Sequence, residues 1–184
     1  EVHRGKVRRE DRRGLDAAQS LGVNPSAVAA TCVLESGCRP TARDGGAEGL
    51  FQMYPAAFNE GLATALRANP ALASQIVQGD AGRYDPVTSS IAAAGYQMQA
   101  AQFLQQRGVD NPTVLDTRGY YQFGGRYAVD LAQAPSETTM GQIMPNVSPS
   151  VFSGNGITPN TTVGQWRTMV SNRIGNAAGQ SVRI

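Results

Sequence analysis

The sequence predicts a mainly helical fold, interrupted by one glycine-rich stretch with room for at most a small β-hairpin. Three observations carry this reading. Asn24-Pro25, Asp85-Pro86 and Asn111-Pro112 each place a capping side chain ahead of a proline, which is the punctuation of a helix start. Apolar residues then recur at helical spacing. Four glycines, Gly37, Gly45, Gly46 and Gly49, fall within residues 37–54 and mark that segment as loop.

Taken in order, residues 5–21 read as a first helix, and Pro25 opens a second that runs to Ser36. After the 37–54 loop, Pro55 starts a helix reaching Arg67 and Pro70 starts one reaching Gln78. Asp85-Pro86 opens a long helix through Arg107, with Ile91, Ala94, Gly95, Met98, Ala101 and Phe103 along its buried side. Shorter helices are expected over 112–123, 125–134, 136–144 and 162–174, with 145–160 irregular. No internal repeat or low-complexity segment is visible.

With 184 residues, 41% of them hydrophobic, the chain can bury one sizeable core. We expect one compact unit overall, with residues 1–23 as a basic helical segment ahead of the 24–184 domain. No run approaches the roughly 20 apolar residues of a bilayer-crossing helix. No charged-then-apolar export signal stands before the first helix, so the abrupt start at Glu1 reads as a processed or trimmed product.

Net charge is only +2, yet Arg4, Lys6, Arg8, Arg9, Arg12 and Arg13 crowd the first segment. Such a cluster either attracts an anionic wall or membrane surface or forms a solvated helix face balanced by Glu10, Asp11 and Asp16. No aromatic stacking motif accompanies it, so nucleic acid is not an expected partner.

The inventory excludes several chemistries. The single histidine, His3, lies in the basic leader, so a His-rich zinc site, a Ser-His-Asp triad and a Cys-His dyad all lack their parts. No Gly-Lys-Ser/Thr phosphate loop appears. Neither a metal nor any other cofactor is expected. Carboxyl chemistry survives, and Glu35 is its best carrier: it ends the apolar run Ala-Val-Ala-Ala-Thr-Cys-Val-Leu, where partial desolvation would raise a carboxyl pKa and suit a general acid. Cys32 and Cys38 flank it. On an uninterrupted helix their spacing is too long for a disulfide. If Gly37 ends the helix in the left-handed conformation, Cys38 folds back and the bond becomes feasible, arguing for an oxidising compartment.

Glu35-Ser36 followed by Gly46-Ala47-Glu48-Gly49-Leu50-Phe51-Gln52-Met53 and Pro55 resembles the Glu-Ser and Gly-Leu-Met-Gln motifs of soluble lytic transglycosylases, which are similar in fold to goose-type lysozyme. Asp85-Pro86 with Ile91, Ala94 and Gly95, then Tyr120-Tyr121-Gln122-Phe123-Gly124, is similar to that family's later motifs. The resemblance covers residues 24–125. The run from Pro145-Asn146 to Phe152, with Thr162, is similar to versions in phage virions and bacterial secretion systems.

The resemblance implies a lysozyme-like domain that cleaves the β-1,4 bond between N-acetylmuramic acid and N-acetylglucosamine in peptidoglycan with formation of a 1,6-anhydro ring, in the cell envelope or on a virion. Glu35 would be acid and then base. Ser36 would cap or orient the helix end, Gln52 would hydrogen-bond an N-acetyl sugar, Tyr121 would position Glu35 or the acetamido group, and Gln122 would stand where the family has asparagine. Tyr54 reads as cleft wall or packing. Glu48 reads as a solvated loop carboxylate or, at about 6.5 to 9.5 Å from Glu35, as the water-activating base of an inverting hydrolase. A wall-binding component without turnover is the non-enzymatic alternative. A murein endopeptidase lacks its metal ligands or nucleophile-base pair.

Overall fold

The computed structural model describes residues 9–184, with side chains from residue 11 onward. The protein is mainly helical with one two-stranded antiparallel sheet, and it divides into two compact units. The first runs to Gln99 and includes Arg183–Ile184; the second is Ala100–Val182.

In the first unit, helix α1 (Arg9–Ser20) packs on α2 (Pro25–Ser36). Asn24 caps α2 by accepting from the Ser26 amide at 3.0 Å, with Pro25 at the first helical position, as the Asn-Pro pair requires. The hairpin strands β1 (Arg43–Asp44) and β2 (Ala47–Glu48) pair Arg43 with Glu48 and Asp44 with Ala47 around a Gly45-Gly46 turn. Helix α3 (Pro55–Ala68) follows, then two 3₁₀ turns, Pro70–Gln75 and Asp80–Arg83. The expected helix to Gln78 is therefore only the first of these turns.

Helix α4 (Pro86–Gln105) is the backbone of the core. Ile91, Ala92, Ala93, Ala94, Ala101 and Leu104 are 0% exposed. Ile91, Ala94, Gly95, Met98 and Ala101 face inward as their spacing implies, and Phe103 is only half-buried. Helices α3 and α4 meet backbone to backbone: a methyl at Gly61 would run into the Ala92 carbonyl, and one at Gly95 into the Gly61 carbonyl.

In the second unit, α5 (Val114–Phe123) begins with a capping box between Thr113 and Asp116 and lies against α6 (Gly125–Gln133). Phe103 packs edge-on against Tyr120, their ring centroids 5.4 Å apart. Helix α7 (Met140–Ile143) is a single turn, shorter than the 136–144 helix expected. Segment 145–160 is not wholly irregular, since Pro149 at a first helical position starts the short α8 (Pro149–Gly154). Helix α9 (Val163–Ile174) carries the buried Trp166. Arg167 donates to the carbonyls of Leu131 at 2.7 Å and Ala134 at 3.1 Å, closing off the end of α6. No described helix is long and apolar enough to cross a membrane.

Candidate active site

Glu35 is half-buried on the last turn of α2, and three independent ties fix that turn. Gly37 adopts the left-handed conformation, φ 62°, and its amide donates to the Val33 carbonyl at 3.1 Å while the Cys38 amide reaches the Cys32 carbonyl at 3.1 Å. These two bonds close the helix end with a Schellman-type cap. The chain then folds back far enough for a Cys32–Cys38 disulfide, with Cα atoms 4.8 Å apart. Ser36 supplies the third tie. Its hydroxyl donates to the Leu50 carbonyl at 2.7 Å and accepts from the Arg39 amide at 3.0 Å. Ser36 is 6% exposed, so its hydroxyl is spent inside the protein, joining the acid's helix to the glycine-rich loop.

That loop presents Gln52 in a left-handed conformation, φ 46°, a strained choice for a residue with a side chain. Two bonds hold it there: Nε2 donates to the carbonyls of Ala42 at 3.0 Å and Gly49 at 2.8 Å. Both amide hydrogens are thereby used, and the side-chain oxygen remains as the acceptor. Tyr54 is 59% exposed, with its ring over Gly46, where a methyl would approach Cε1 to 3.0 Å.

Glu48 is not a solvated loop carboxylate. It pairs with Arg83 at 2.9 Å, and the Tyr84 hydroxyl bonds to it, so that bond, followed by burial, raises the tyrosine's pKa above its ordinary value. The Arg43 guanidinium lies 5.1 Å from the centre of the Tyr84 ring. Arg83 itself is buried and had no signal in the sequence, because the carbonyls and the carboxylate of 46–53 that it grips lie 30 or more positions away.

Tyr121 and Gln122 belong to α5 of the second unit. Tyr121 is half-buried with the Arg118 guanidinium 6.0 Å from its ring centre. The Gln122 amide is taken up within that unit, donating to Asn155 Oδ1 at 2.7 Å and accepting from the Trp166 indole at 3.2 Å. It therefore ties α5 to α8 and α9. His3 and, of the basic cluster, Arg4, Lys6 and Arg8 lie outside the described residues, as does the Arg9 side chain. Arg12 and Arg13 are exposed on α1, and Arg13 reaches Gln75 at 3.5 Å. Among the described residues no group of three His, Cys, Asp or Glu side chains is placed to hold a metal.

No protein-family model matches the chain, and no curated protein matches it either.

Proposed function

We propose that this protein cleaves peptidoglycan glycan strands as a lytic transglycosylase, with Glu35 as its acid and base. The observation that carries the reading is the pinning of the Glu35 turn by the Gly37 cap, the disulfide and the Ser36-to-Leu50 bond, directly beside a loop offering the Gln52 acceptor. Placement to within fractions of an ångström is what proton transfer to a glycosidic oxygen demands.

Protonated Glu35 gives its proton to the glycosidic oxygen as the bond from C1 of N-acetylmuramic acid to that oxygen breaks. The sugar's own acetamido oxygen stabilises the cation at C1. The Glu35 carboxylate then takes the proton from the C6 hydroxyl while that oxygen bonds to C1, closing the 1,6-anhydro ring and restoring the acid. Gln52 Oε1 accepts from an acetamido N–H, and Tyr54 offers an exposed ring to a sugar face. The pairing of Glu48 with Arg83 and Tyr84 argues against its activating water, as the inverting reading would require. Peptidoglycan is the partner this chemistry needs, and the basic leader would favour its anionic surface.

Mass spectrometry of digested sacculi tests the reading. Anhydromuramyl ends are expected, and Glu35→Gln should lose at least about 100-fold in rate, the usual share of a general acid. Reducing ends would instead assign hydrolysis. An inactive parent, or full activity in Glu35→Gln, would overturn the catalytic reading and leave a wall-binding protein.

A further inference from the structure

The loop that carries Gln52 rests on one buried cation. The Arg83 side chain is 8% exposed and every nitrogen of its guanidinium is used. Nη1 donates to the Gly46 carbonyl at 3.0 Å and the Met53 carbonyl at 3.4 Å, the two ends of segment 46–53. Nη2 meets Glu48 at 2.9 Å, within that segment, and Asp80 at 2.7 Å. Nε donates to Asp80 at 2.9 Å, which fixes the guanidinium from its own 3₁₀ turn. The Arg83 main chain takes part as well, because its carbonyl lies where a methyl on Gly49 would fall. Gly49, at φ 78°, in turn gives its carbonyl to Gln52 Nε2. Arg83 thus grips the loop at both ends and in the middle, one residue from the strained Gln52.

We propose that Arg83 is a positioning residue that sets this site's preference for N-acetylated sugars, by clamping segment 46–53 so that Gln52 keeps its left-handed, doubly tied conformation. The proposal rests on the reading of Gln52 as acceptor for an acetamido N–H. Only a planar fork can donate to two carbonyls while lying in ion-pair contact with two carboxylates. A lysine keeps the charge and drops most of those bonds, and the loop then relaxes around Gln52.

The test is binding rather than turnover, measured by calorimetry on the full chain carrying Glu35→Gln. The probes are a β-1,4 N-acetylglucosamine oligomer and the glucose oligomer of equal length, which has hydroxyls in place of acetamido groups. The Glu35→Gln protein should favour the N-acetylated oligomer. Adding Arg83→Lys should narrow that preference about 3- to 10-fold, the worth of one hydrogen bond. Gln52→Ala should narrow it similarly, and the two together no further, because they remove the same interaction. If Arg83→Lys does not fold, Glu48→Gln loosens the same clamp and should narrow the preference in the same direction. Equal weakening toward both oligomers, additive effects of Arg83→Lys and Gln52→Ala, or no preference in the starting protein would each overturn the proposal. Failure of the transglycosylase reading would show separately, in the products from sacculi.

Discussion

At the scale of single residues, the acid's turn is held by covalent chemistry as well as by hydrogen bonds. The disulfide joins positions six apart, so it closes a short loop, and the chain-entropy account gives it about 2 kcal/mol. Cys32 and Cys38 both line a partly open apolar cavity of about 180 Å³. Reduction, or the pair Cys32→Ala and Cys38→Ala, is expected to lower unfolding free energy by about 2 kcal/mol, read from denaturant midpoints at unchanged m-value. Unchanged stability would mean that the Gly37 cap and the Ser36 bond suffice alone. That the helix end at Ser36 and the glycine loop would meet was legible in the sequence, because a helix end and a glycine loop are local patterns, and the Ser36-to-Leu50 bond joins them. Arg83 was not, since a lone arginine in Asp-Ala-Gly-Arg carries no sign of the distant carbonyls it meets. Gln122 was legible as a polar side chain, but nothing in the sequence indicated that Asn155 and Trp166 would use up its amide.

Among the elements, proline punctuation proved the most readable signal. Pro25, Pro55 and Pro86 each begin a helix where expected, because a fixed φ and a missing N–H are local properties, whereas Asn111-Pro112 stands ahead of α5, which Thr113 caps and Val114 opens, and Pro70 opens only a 3₁₀ turn. The 3₁₀ turn Asp80–Arg83 and the six-residue α8 escaped, being too short to build an apolar period. Where α3 crosses α4, propensity and packing give opposite answers. Replacing glycine by alanine inside a helix gains about 1 kcal/mol from propensity. At Gly61 and Gly95, however, the added methyl would meet a carbonyl of the neighbouring helix. The backbones must separate, and overpacking of this kind costs about 1 to 3 kcal/mol or more. Gly61→Ala and Gly95→Ala should therefore each destabilise the protein by about 2 kcal/mol in chemical denaturation. A gain in stability at either site would show that the helices can move apart freely.

For the whole molecule, α4 is the element most completely withdrawn from water. Ile91 through Ala94 are 0% exposed, Gln97, Met98 and Ala100 are 5% or less, and Ala101 and Leu104 are again 0%. Buried on several sides, the helix shows little of the one-faced apolar stripe that marks a surface helix. Buried amides in such a helix exchange only when the surrounding core opens. Short elements behave differently: in α8 Phe152 is the one buried residue, so a local opening exposes its amides at little cost. Native-state hydrogen exchange should accordingly find the slowest amides of the chain between positions 91 and 104, with free energies of opening at the global value. Those of α8 should exchange by local opening well below it. Exchange of the central α4 amides as fast as those of α8 would mean that burial in this helix does not report its stability, and that the core is held elsewhere.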